Sequence, residues 1–174
     1  MPRIIFWSVA FMTLFLGTAL AQQQRTSPVG YWKTIDDKTG KPKAVVEIYE
    51  EKGKLYGRIV ELIREPGEDL DPICEKCPGD KKGKPIRGMV ILWDLKKKDD
   101  NTWGNGKIMD PKNGKVYSAK IELAEDGTLR VRGYLGFSLL GRTQVWHPLT
   151  PEQVEQIKAQ MAELRAKASS DSQN

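Results

Sequence analysis

From Tyr117 to Leu123 the chain alternates with period two: Tyr117, Ala119, Ile121 and Leu123 share one face, and Ser118, Lys120 and Glu122 share the other. The next segment repeats the pattern, with Leu129, Val131 and Gly133 opposing Arg130 and Arg132. Successive side chains of a strand point to opposite faces, so each segment reads as a strand with one buried side. Short runs rich in β-branched and aromatic residues extend this reading to 31–35, 43–50, 54–63, 87–95, 102–109, 115–123, 128–134 and 142–147. In 54–63 the phase is mixed, because Glu61 shares a face with Leu55, Gly57, Ile59 and Ile63, which predicts either an inward charge or a strand end wet on both sides.

The connections between these strands are short and carry residues suited to tight turns. Glu51-Lys52-Gly53, Lys98 to Asn101, Asp110 to Gly114 and Glu125-Asp126-Gly127 are hairpin-sized. Antiparallel neighbours in sequence order follow, and eight such strands suit a small up-and-down barrel. The expected fold class is therefore all-β, an eight-stranded antiparallel barrel over 30–149. After it the period changes: Thr150-Pro151-Glu152-Gln153 has the form of a helix start, and Val154, Ile157, Met161 and Leu164 recur at helical spacing. A C-terminal helix over 150–168 is predicted, covering its own barrel, with 169–174 as a disordered tail.

The N-terminus departs from both patterns. Arg3 precedes an apolar run from Ile4 through Leu16, and Ala19-Leu20-Ala21 is a small-x-small site. This predicts a signal peptide over 1–21, cleaved after Ala21, a linker over 22–29, and a periplasmic or secreted product. The run falls short of the roughly 20 residues that span a bilayer, so no stable membrane anchor is expected. Removing it takes away Arg3 alone and leaves a net charge of +4 in place of +5. The surplus lies in short lysine runs such as Lys96-Lys97-Lys98, followed at once by Asp99-Asp100, which is the pattern of solvated loop ends rather than a nucleic-acid face.

Candidate chemistry is sparse. Residues 64–86 form a long connection with Glu65, Glu68, Asp69 and Asp71 ahead of the two cysteines, Cys74 and Cys77. An oxidising compartment favours a disulfide between them; a metal half-site and a redox-active dithiol are the alternatives, although a second thiolate pair and a βαβ context are missing. His147 is the one histidine, and neither a nucleophile elbow nor a zinc-protease helix motif occurs, so no catalytic residue, metal set or cofactor is assigned. A histidine on the last strand of a barrel is a haem-ligand type, but Pro148 follows and sets it at a strand end. Gly30, Trp32 and Arg142 stand on the first and last strands, where an indole under a guanidinium would close one barrel end.

The ordered runs Gly106-Lys107-Ile108-Met109-Asp110-Pro111, Gly114 to Lys120, Leu129 to Gly133 and Arg142-Thr143-Gln144-Val145-Trp146 resemble the bacterial exported family known as domain of unknown function 2147, from Gly30 to about Pro148. The resemblance implies a lipocalin-like or fatty-acid-binding-protein-like barrel in the cell envelope, with no assigned activity. Many relatives have cysteines where Tyr56, Tyr134 and Gly141 stand here, so no disulfide pairing carries over, and their residue after the last Trp is not histidine. The function expected is binding of a small, mainly apolar molecule, with Tyr117, Ile121, Leu129 and Val131 as candidate lining residues. A solid barrel serving as an envelope interaction or stress module is the alternative, its protein partner unspecified; an enzyme or haem binder comes last.

Overall fold

Eight strands form where apolar residues recur at every second position, and they close on themselves. The computed structural model describes residues 26–136 and 140–171; residues 1–21, predicted as a signal peptide, lie outside these residues. The strands are β1 (Gly30–Ile35), β2 (Pro42–Glu51), β3 (Lys54–Leu62), β4 (Val90–Lys97), β5 (Thr102–Asp110), β6 (Lys115–Leu123), β7 (Leu129–Tyr134) and β8 (Gly141–Leu149). Each pairs antiparallel with its neighbour, and β1 pairs with β8 to complete the barrel. This is the expected all-β, up-and-down architecture with one C-terminal helix.

One end of the barrel carries the 36–41 and 111–114 turns, the long 63–89 loop and the β7–β8 connection; it is called the loop end below. The opposite end carries the chain entry at Gly30 and the exit at Leu149.

Three irregularities break the simple alternation. In β3, Val45 pairs with Glu61 while Val46 pairs with Ile59, so one extra residue reverses the phase of the strand. Glu61 consequently leaves the inner face, and its burial comes from outside the barrel. In β4 and β5, Asp94 and Asn105 adopt φ of 61°, the left-handed conformation that Asp and Asn tolerate better than other side chains. Leu92 and Leu95, three residues apart, are thereby both buried in the core. β4 also begins later than expected, at Val90, because Gly88 and Met89 belong to the returning loop, where Gly88 N–H donates to the Ile59 carbonyl at 2.7 Å.

The helix α1 spans Pro151–Asp171 and starts as the sequence predicts. Thr150 N–H donates to the Gln153 side chain at 2.8 Å, and Gln153 N–H donates to the Thr150 hydroxyl at 3.3 Å, a reciprocal capping box. It runs three residues beyond the predicted end: Ser169 and Ser170 donate back to the Arg165 and Lys167 carbonyls, so 169–171 form its last turn rather than a tail. Residues 172–174 lie outside the described ones. The apolar stripe lands on the outside of the barrel. Val154 packs with Val45 and Leu149, flanked by Tyr31, Val60, Ile63 and Ile157.

Candidate functional site

The barrel interior is a packed core. Trp32, Trp103 and Trp146 join Val46, Ile48, Leu92, Leu95, Ile121, Leu129 and Val131 in one buried cluster. Three of the proposed lining residues, Ile121, Leu129 and Val131, belong to it, and Tyr117 lies half-buried nearer the loop end. Inward positions without a side chain are crowded by side chains and backbone of nearby strands. A Cβ on Gly57 would stand 3.0 Å from Leu92 Cβ, and one on Gly133 would stand 3.3 Å from Ile108 Cγ2. At Gly106 it would meet Leu95 Cγ at 2.6 Å and the Trp93 carbonyl oxygen at 2.7 Å. Gly106→Ala is therefore expected to lower stability by about 1–3 kcal/mol, because a backbone carbonyl cannot rotate away as a side chain can. Urea unfolding checks this, and an unchanged midpoint would mean that the interior has room.

The two barrel ends close by different means. Trp32 is fully buried and its Nε1–H donates to the Pro28 carbonyl at 2.8 Å. Gly30, at φ 134°, lets the entering chain turn over that end. Arg142 has no part in this closure, contrary to the sequence expectation. Trp32 pairs with Pro148 on β8, so Arg142, near the start of the strand, lies at the other end of the barrel. There it forms an ion pair with Asp37, with 63% of its side chain exposed. Neighbouring strands do not by themselves make neighbouring residues: antiparallel register sets which ends meet.

The loop end is covered by the 63–89 segment. Cys74 and Cys77 form a disulfide with Cα atoms 5.4 Å apart, and both are buried in the barrel's own core cluster beside Met89. The Cys74 Sγ lies 3.1 Å from the Pro111 carbonyl oxygen in the β5–β6 turn. In that turn Gly114 has φ 70°, and a Cβ there would run into the Lys76 carbonyl. The turn and the disulfide loop are thus in backbone contact, which only glycine permits. The bond closes a ring between residues three apart, so cleaving it is expected to remove about 2 kcal/mol of stability without opening the barrel. Unfolding midpoints with and without reductant measure this.

Two features outside the core were missed by reading for motifs. The first is an ion-pair cluster beneath α1. Glu61, with 4% of its side chain exposed, accepts two hydrogen bonds from Arg165 at 2.5 and 3.3 Å, which hold the guanidinium above its usual pKa. Arg165 Nε also lies 3.2 Å from Asp71 Oδ2, off the hydrogen-bonding direction, and Asp71 accepts from Arg87 at 2.7 Å. Helix, barrel wall and disulfide loop meet here. The second is an open groove of about 390 Å³ on the outer wall of β6, β7 and β8, lined by Lys120, Glu122, Arg130, Arg132, Thr143 and Val145. Its signal was present in the alternation, since the polar faces of β6 and β7 place Lys120 directly across from Arg132. His147 is exposed on the outer face of β8, paired in register with Lys33.

The barrel has relatives. A solved structure described as protein HP1028 from the human pathogen Helicobacter pylori, a member of the lipocalin family, superposes with a TM-score of 0.65 at 22% identity. The match covers 77% of this chain and 90% of that one, and at this identity it speaks to fold alone. No curated protein matches the chain. A family model described as an uncharacterised protein conserved in bacteria matches residues 30–148, from the glycine that turns over the Trp32 end to the proline paired with that tryptophan. With its closed lipocalin-like barrel and this match over most of its length, the chain belongs to the bacterial domain of unknown function 2147 family.

Proposed function

We propose that this protein is an exported module of the cell envelope whose barrel is solid and which acts through its surface. The observation that carries the reading is the filled interior: even at Gly106 and Gly57 the space of one methyl group is already taken by neighbouring atoms. A lipocalin-like carrier needs a cavity of a few hundred Å³ or more for its ligand. The outer wall of β6, β7 and β8 carries an open groove of about 390 Å³. Export rests on the N-terminal signal pattern and agrees with a buried disulfide, a bond typical of oxidising compartments.

A second reading retains a small apolar ligand. It is favoured by the lipocalin-like fold and by Tyr117, which is half-buried near the loop end rather than locked in the core. Mass spectrometry of organic extracts from purified protein separates the two. The solid-barrel reading expects no stoichiometric small molecule; a reproducible bound lipid would replace it with the carrier.

A further inference from the structure

We propose that Arg142 and Gln144 form a site at the loop-end rim for the carboxylate of a small apolar acid, with Asp37 as its resident occupant. The inference goes beyond the solid-barrel reading, since a rim site needs no interior cavity. Directly opposed residues of an antiparallel pair share a face. Arg142, Gln144 and Trp146 stand opposite Gly133, Val131 and Leu129, and the last two are buried in the core, so all three β8 side chains belong to the inner face. The donors of the two polar ones converge on one atom. Gln144 Nε2–H donates to Asp37 Oδ2 at 3.0 Å, and the Arg142 guanidinium pairs with the same oxygen. Behind them Trp146 Nε1–H donates to Gln144 Oε1 at 3.2 Å. An indole can only donate, so the amide must offer it oxygen and present its N–H groups to the rim, where only an acceptor can meet them. Indole, amide and guanidinium are thus set for a carboxylate, whichever molecule carries it.

Asp37 is a replaceable occupant. The backbone register of β1 with β8 runs from Tyr31 to Lys33 and stops short of Asp37. The 36–41 turn is built on the preceding residue instead: Asp36 Oδ1 accepts from the Lys38 and Thr39 N–H groups, each at 3.0 Å, and the Asp36 carbonyl accepts from Gly40 N–H at 2.8 Å. Asp37 can therefore leave Arg142 without unmaking the turn, and a partly exposed ion pair holds it only weakly. The surroundings select the rest of the ligand. Gly133, the register partner of Arg142, leaves its place to Ile108 and Tyr117: a Cβ there would stand 3.3 Å from Ile108 Cγ2 and 3.5 Å from Tyr117 Cβ. Both side chains are half-buried on the inner face, which gives an apolar chain a shelf beside the guanidinium.

The test is an NMR titration of the nitrogen-15-labelled chain from Gln22, which contains every described residue, with sodium octanoate. Acetate and 1-octanol serve as its two halves. This chain holds Trp32, Trp93, Trp103 and Trp146, and the indole N–H signal missing from Trp146→Phe reports on the site. Octanoate is expected to shift that signal saturably, and each half should bind at least about tenfold more weakly. Arg142→Gln should weaken octanoate about tenfold or more, the usual effect of losing a charged hydrogen-bond partner. Asp37→Ala should tighten it about twofold to fivefold, by removing an exposed competitor. Arg130→Gln removes the same charge from the outer wall, where Arg130 pairs with Glu122, and should change nothing. All these variants should unfold near the wild-type urea midpoint. A wild-type signal that octanoate leaves in place overturns the proposal, even if the Asp37→Ala signal moves, because Asp37 is then a permanent structural partner. Octanol or acetate binding as tightly as octanoate, or equal losses in Arg142→Gln and Arg130→Gln, also overturns it. The organic extract is a separate readout: an apolar molecule found there sinks the solid-barrel reading, while the rim site stands or falls on the titration.

Discussion

Arg165→Met is expected to cost about 3–5 kcal/mol of folding stability, because it leaves the Glu61 carboxylate under α1 with no cation. Two properties of the pair set this magnitude. The side chain of Glu61 is nearly sealed from water, and both of its oxygens accept from the one guanidinium. Arg165→Lys should recover only part of the loss, since an ammonium cannot bridge both oxygens in the same plane. The informative companion is Arg165→Met combined with Glu61→Leu, which removes both charges and should restore much of the stability. Glu61→Leu alone completes the cycle, and urea unfolding of wild type, the two single variants and the double gives the coupling directly. A single Arg165→Met variant as stable as wild type would mean that the helix does not bury this carboxylate in solution.

The second large effect is at Trp32. Trp32→Ala removes a fully buried indole at the chain-entry end and should cost about 3–5 kcal/mol, while Trp32→Phe should cost less because most of the packing volume remains. Arg142→Ala is the contrasting case. Its ion pair with Asp37 is exposed, and such pairs contribute about 0–1 kcal/mol. Thermal unfolding of the three variants should therefore separate tryptophan from arginine. Similar losses in Trp32→Ala and Arg142→Ala would restore the idea that the two residues close one end together.

Much of this fold is legible in the sequence because most strands keep a period of two and most turns carry their own punctuation. β6 and β7 are the clearest, with buried and more exposed residues alternating from Ala119 to Leu123 and from Leu129 to Arg132. β3, β4 and β5 are less so, for a common physical reason. A bulge inserts one residue and shifts the phase; nothing in the identity of Val60 announces it, and Asp94 and Asn105 are of types that tolerate the left-handed conformation without requiring it. On that account Glu61 reads as either an inward charge or a strand end wet on both sides, whereas it is buried on the outer face of the barrel. The Arg165–Glu61 contact joins residues far apart in the chain, so only the docking of α1 brings them together. The charged outer wall was written in the polar positions of β6 and β7, but only the register sets Lys120 opposite Arg132 and Glu122 opposite Arg130.

The placement of α1 also bears on the order in which the molecule is made. Every strand pairs with the one before it except at the β1–β8 seam, whose partners stand at opposite ends of the domain. Such a pairing is slow, since the chain must be gathered before the contact rewards it. The helix follows β8 directly and lies against Tyr31 of β1, Val45 of β2 and Leu149 of β8, across that seam. Strand β8 and the helix that clasps it both follow the other seven strands in the chain, so during synthesis the sheet stays an open, pliable ribbon until these two have been added, and only then locks.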